Sequence, residues 1–228
     1  MLEYKWCGSC VLCSILWYGV LPDKGRGVRF EWATRCTETI HSLVVITGAV
    51  AWVCGALEEV EWLIRIMYGY LMFDTAYEIA LPWAQGRPGP PDLAFTVHHV
   101  VGIALHVLTL ETRHAVAKSY APYIYLAELS TPFLHWSWML NVSRKTESTL
   151  FFVNGIVGTL MYVVFRVLLP PALLVHAVAT PGAWRAHAGY PQAYWCFVGA
   201  LVCFVVLNWV WFGKLIELLR AKLSRRGG

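Results

Sequence analysis

Charge is what this sequence most lacks. Asp, Glu, Lys and Arg make up 14% of its 228 residues, against about 25% in a soluble domain, and this excludes an ordinary water-soluble fold. Nucleotide and hydrolase signatures are missing too. There is no G-x-x-x-x-G-K-[ST] phosphate loop, no H-E-x-x-H zinc helix and no G-x-S-x-G nucleophile turn, so none of those chemistries is indicated. Repeats, low-complexity tracts and a polar domain-sized segment are absent, and one membrane domain is expected to fill the chain. No KDEL-type or prenylation signal ends it, and no cleavable leader stands out, so the first apolar run is expected to be retained. The seven cysteines are an odd number, which argues against a disulfide framework.

Apolar side chains are abundant. The chain is 58% hydrophobic with a mean hydropathy of +0.54. Its twelve Trp and eleven Tyr suit the aromatic belts at the two faces of a bilayer. A polytopic, all-α membrane protein is the fold class this implies. Runs near the roughly 20 apolar residues needed to cross fall at 6–21, 39–57, 62–82, 93–111, 120–140, 149–169 and 193–213. The loops "AQGRPGPPD" (84–92), "VSRKTES" (142–148) and "ATPGAWRAHAGYPQ" (179–192) separate them. With seven spans and the C-terminus inside, twelve Lys and Arg lie inside and five outside, as the positive-inside rule prefers. The net charge of +4 then reflects topology and anionic lipid head groups, not nucleic acid.

Cys7, Cys10 and Cys13 form C-x-x-C-x-x-C. No His or fourth Cys stands near them in sequence, so they read as small buried hydrophobes rather than metal ligands; no metal is expected.

Ionisable groups at bilayer depth cost roughly 2.5–3.5 kcal/mol each on insertion scales, so each is a candidate for function. They are Asp74, Glu78, His98, His99, His106, Glu128, His135 and Arg166, with Glu38 and His41 near a span entrance. His99 and His106 stand two turns apart on one helix face, and His98 lies about 100° round from His99. Asp74 and Glu78 share a face at i,i+4. Pro132 is expected to bend its span and open room beside Glu128 and Ser130. Arg166 needs a counter-charge, which Asp74 or Glu128 can supply. His106 and His135 read as hydrogen-bonded packing residues, and Glu78 lies near enough to the interface to reach water. His98 and His99 with Asp74, Glu128 and Arg166 read as one polar pocket.

Four segments in order, "YGYLMFDTAYEI" (68–79), "VHHVVGI" (97–103), "AELSTPFLHWSWML" (127–140) and "NGIVGTLMYVVFRVLLPP" (154–171), with "FEWATRCTETIHSLVVITG" (30–48) before them, resemble the TLC-domain family, which includes the ceramide synthases. The resemblance implies a six-helix membrane barrel over 30–219 enclosing a cavity for a lipid acyl chain, preceded by an extra N-terminal helix and loop (1–29) and followed by a basic tail (220–228). It maps the family's paired histidines of acyl transfer onto His98 and His99, and the preceding acid onto Asp74. Glu128 maps as a further catalytic carboxylate. Ser130, Asn154 and Arg166 also fall on family positions, and with His106 they are expected to bind the lipid. The acidic elements that follow the histidine pair in ceramide synthases are missing here, so the chain looks closer to the short TLC-domain-containing proteins.

Two readings of function follow. In the first, His98 and His99 act as base or acyl acceptor in lipid acyl transfer, because imidazole titrates near neutrality. Asp74 and Glu128 orient them, and an acyl-CoA or a phospholipid serves as donor; no cofactor is needed. In the second, the barrel holds a lipid without turning it over, as an accessory subunit of a larger membrane complex such as a respiratory assembly. The expected address is the endoplasmic reticulum, with the mitochondrial inner membrane as the alternative and the C-terminus on the cytosolic or matrix side.

Overall fold

The computed structural model describes residues 1–21, 26–86, 89, 92–112, 115–185 and 191–224. Lys24, Arg87, Arg113, the middle of the 179–192 connection and the terminal RRGG lie outside the described residues. Among the described residues every regular element is a helix and there is no strand. The helices are α1 (Leu2–Val20), α2 (Arg26–Val53), α3 (Glu61–Ala84), α4 (Leu93–Thr112), α5 (Ala115–Tyr125), α6 (Thr131–Val142), α7 (Thr149–Tyr162), α8 (Leu169–Ala179), α9 (Pro181–Arg185) and α10 (Pro191–Ser224).

The outside of the bundle is as greasy as its interior. Four helical stretches, 27–53, 93–111, 149–179 and 191–217, are long and apolar enough to cross a membrane, yet only 11–39% of their apolar windows is buried within the protein. Side chains such as Leu43, Val100, Leu160 and Trp209 point outward and exposed. Hydrocarbon is the solvent that makes such a surface stable, and the chain is an integral membrane protein.

Two of the helical columns are interrupted, and proline explains both. Between α5 and α6, residues Leu126–Ser130 tighten into a 3₁₀ turn, and Pro132 follows in the first turn of α6. The expected disturbance beside Glu128 is thus a local change of helix pitch. Between α7 and α8, residues Val163–Leu168 widen into a π-helical turn directly ahead of Pro170 and Pro171. Those prolines have no N–H to give to the carbonyls one turn earlier, and the turn widens so that Leu169 N–H reaches back to Val164 O. The expected span at 149–169 consequently runs on ten residues, to Ala179.

Packing closes a ring. α2 packs on α3, α3 on α4, α4 on α10, α10 on α8 and its π turn, α7 on α6, and α5 and α6 return to α2. α1 stays outside this ring against α2 and α3. It is placed by the backbone of Glu3, which lies so close to Gly69 that no side chain fits there, and by ion pairs at the rim. Arg65 reaches Glu3 at 3.3 Å and Glu61 at 2.8 Å, and Lys118 reaches Glu61 at 2.6 Å. These contacts tie α1, α3 and α5 together at one membrane face.

Candidate functional site

The ring encloses a cavity of about 490 Å³, within the roughly 300–1,000 Å³ of small-molecule sites. α1 contributes nothing to its wall. Its two ends differ. Arg35, Glu38, Asp74, Glu78, His98, His99 and His135 line the half nearer the start of α2 and the end of α3. Met67, Leu71, Leu105, Ile124 and Leu201 line the other half. A polar chamber therefore opens into an apolar pouch.

His99 is held at both nitrogens. Its Nδ1 lies 2.9 Å from the Phe95 carbonyl, one turn back on α4, and its Nε2 lies 2.8 Å from Asp74 Oδ2 on α3. A carbonyl only accepts, so Nδ1 carries a proton, and the Nε2–carboxyl contact holds one more. The imidazole is 2% and the acid 6% exposed, and shared possession of that proton leaves the pair neutral where an isolated charge is costly. His98 is different. Its ring meets His99 edge-on at 5.4 Å, Trp211 edge-on at 5.5 Å and Phe204 nearly parallel at 5.8 Å. No hydrogen bond engages its nitrogens among the described residues, and it lines the cavity.

Arg166 extends from the π turn to the 3₁₀ turn. Its Nε donates to Ala127 O at 3.0 Å and Ser130 Oγ at 2.9 Å, and its Nη2 donates to Thr131 Oγ1 at 2.9 Å. Glu128 Oε1 stands 3.6 Å from the same guanidinium. Of the two acids expected as its counter-charge, Glu128 supplies it and Asp74 does not. The other oxygen of Glu128 accepts from Thr131 at 2.7 Å and Ser42 at 3.3 Å. Glu128 lines the cavity but does not hydrogen-bond to either member of the histidine pair, so the orienting carboxylate is Asp74.

The remaining expected positions separate. His106 lies on the wall, with Nδ1 2.6 Å from Gly102 O and Nε2 2.7 Å from the Tyr125 hydroxyl; both nitrogens are satisfied. Ser130 is 0% exposed and off the wall, supporting Arg166. Asn154 is also off the wall; its amide donates to Phe133 O at 2.9 Å and Ser137 Oγ at 2.8 Å, stapling α7 to α6. Cys7, Cys10 and Cys13 are free thiols on α1, away from the cavity. Among the described residues no group of three His, Cys, Asp or Glu is arranged to hold a metal ion.

Sequence reasoning undervalued one pair. Glu38 Oε2 lies 2.9 Å from His135 Nε2, and both line the cavity. The available signal was the spacing of Thr34, Glu38, His41, Val45 and Ala49, a single helix face that the structure buries whole. His41, by contrast, accepts from the Trp6 indole at 3.0 Å and stacks on Tyr70 at 3.8 Å outside the cavity.

With six helices around a polar-to-apolar chamber and an additional helix outside, the sequence model of the TLC domain matches residues 31–217. The chain belongs to the TLC-domain family. It is 27% identical over 205 residues to TLC domain-containing protein 4 of Xenopus tropicalis, covering 83% of this chain and 75% of the relative. It is 25% identical to TLC domain-containing protein 4-B of Danio rerio, over 92% of this chain and 81% of the relative. The Homo sapiens TLC domain-containing protein 4 is 26% identical, over 82% and 73%. These relatives are short TLC-domain proteins, as the missing acidic elements implied. No solved structure matches.

Proposed function

We propose that this TLC-domain protein binds a lipid acyl chain in its cavity and catalyses acyl transfer there, with His98 as the base. One observation carries the reading. A histidine whose nitrogens no hydrogen bond engages among the described residues stands at the junction of the polar chamber and the apolar pouch, beside a histidine locked by Asp74. The acyl tail lies along Met67, Leu71 and Leu201, which brings its carbonyl to His98. A hydroxyl or amine nucleophile gives its proton to His98 as it attacks that carbonyl. The bond to the donor's leaving oxygen or sulfur then breaks, and the leaving group takes a proton. His99 and Asp74 keep the neighbouring wall neutral and fixed, and Arg166 with Glu128 sets the shape of the opposite wall. The donor is a phospholipid or an acyl-CoA. The excess of Lys and Arg on the inner side of the sequence-derived topology supports a chamber end turned toward the cytosol, and the endoplasmic reticulum is the proposed address.

The test is mass spectrometry of lipids co-purifying with the wild type, with His98→Ala and with the His98→Ala/His99→Ala double variant, alongside cellular acyl-chain profiles. Retained lipid in all three, with an altered acyl profile only where wild type is expressed, supports transfer. Retained lipid with profiles unchanged by the substitutions leaves a lipid-holding accessory subunit as the function instead.

A further inference from the structure

The cavity holds a second imidazole–carboxyl pair, and its hydrogen-bond directions can be worked out atom by atom. Thr39 Oγ1 lies 2.7 Å from Arg35 O, to which it gives its single proton. The same oxygen lies 3.0 Å from His135 Nδ1, so it accepts there, and Nδ1 carries the hydrogen. His135 Nε2 faces Glu38 Oε2 at 2.9 Å with one proton between them. His135 is therefore bound as His99 is: Nδ1–H is committed to a fixed acceptor, and Nε2 shares a proton with an acid. The result is two imidazole–carboxyl pairs lining one cavity, His99 with Asp74 and His135 with Glu38, each holding one shared proton.

Resting on the acyl-transfer reading above, we infer that Glu38 and His135 are its acid partner: they protonate the leaving group while His98 accepts the nucleophile's proton. Acyl transfer needs both events, and one group on one wall serves them poorly. His98 and His99 come from α4, whereas Glu38 and His135 come from α2 and α6 across the ring, and all four line one cavity. The proton balance closes without an outside donor. The nucleophile loses a proton to His98, the new acyl bond forms and the donor bond breaks. The leaving oxygen or sulfur takes the proton held between Glu38 and His135, and after product release the proton left on His98 is carried back to that pair across the shared cavity by a water or hydroxyl group. The charged groups around the pair are Arg35, 3.9 Å from Glu38 on the same helix, Asp74 and Glu78 from α3, and His99 from α4.

An acid partner matters only when the leaving group is poor, and this separates catalysis from structural support. The full chain in phosphatidylcholine nanodiscs is given lysophosphatidylcholine as acceptor. The donor is either the nanodisc phosphatidylcholine, which leaves as an alkoxide, or p-nitrophenyl palmitate, which leaves as a stabilised phenolate. Glu38→Gln and His135→Gln are expected to slow transfer from phosphatidylcholine by about 100-fold and to leave the p-nitrophenyl rate close to wild type. His98→Ala slows both. Glu38→Gln keeps the side-chain shape, so the answer does not depend on His135→Gln folding. Equal losses on the two donors, with His98→Ala also impaired, overturn the acid role alone. Wild-type rates in His98→Ala, or no transfer by wild type from either donor, overturn the acyl-transfer reading and the acid role with it.

Discussion

Arg166 and Glu128 meet where two irregular helical turns face each other, Nη2 to Oε1 at 3.6 Å. The 3₁₀ turn offers the guanidinium the Ala127 carbonyl, and the π turn carries the arginine to it. Removing one charge leaves the other without its partner in a wall that is mostly out of solvent, a change that costs roughly 3–5 kcal/mol for buried pairs. Arg166→Met is accordingly expected to lower the thermal unfolding temperature in detergent more than the Arg166→Met/Glu128→Gln double variant does. Equal destabilisation by the single and double changes would show that the pair carries no coupling.

The α6–α7 contact depends on a missing side chain. A Cβ on Gly158 would sit 2.7 Å from the Cβ of Phe133, an atom too close to its own backbone to swing aside. Gly158→Val therefore has to push the helices apart, at about 1–3 kcal/mol for overpacking. It also strains the Asn154 staple beside it. The expected readout is a lower unfolding temperature, whereas Gly155→Ala, where a Cβ would meet nothing within 4 Å, should behave as wild type.

Much of the chamber could be read before any coordinates. Asp74, His98 and His99 stood out because ionisable groups in apolar runs need a reason, and they do converge on one cavity. Glu38 was placed at a span entrance because the apolar count begins at 39, while the helix itself begins at Arg26. The polar side chains of that first half turn toward the chamber and neighbouring helices, so hydropathy misjudges the helix's length. His135 was read as packing because spacing along one helix cannot say which side chain of another helix will face it. Arg166's choice of Glu128 over Asp74 was undecidable for the same reason. The changes of pitch have a sequence cause, Pro132 and the Pro170–Pro171 pair, but periodicity does not specify whether a turn tightens or widens.

At the rim, Glu61 lies outside the apolar stretch and carries the ion pairs that join α3 to α1 and α5. Hydrogen bonds from Lys118, and then from Arg65, hold its carboxyl down to about 2 from an ordinary 4.5. A depressed folded-state value means the stabilisation is fully present above pH 4.5 and is lost as pH falls toward 2. The side chain is 43% exposed, so screening limits the effect to about 0.5–1 kcal/mol. Glu61→Gln is expected to reduce stability by that amount at pH 7 and by progressively less below pH 4.5. High salt should shrink the difference, and a gap between variant and wild type that widens on acidification would contradict this origin.

The apolar pouch sets how long an acyl chain fits. Ala200 on α10 lines the cavity near Leu201, and a larger side chain there projects into space now available to a lipid tail. Ala200→Phe adds several carbons of volume to the cavity wall, and partial exposure at this position leaves the ring room to settle without breaking the α10 packing. Lipids recovered with Ala200→Phe are therefore expected to carry shorter acyl chains than those recovered with wild type, at similar total occupancy. Mass spectrometry of the purified proteins reads this directly. An unchanged chain-length distribution would mean that the tail does not run past Ala200, and hence that the lipid enters the cavity in some other orientation.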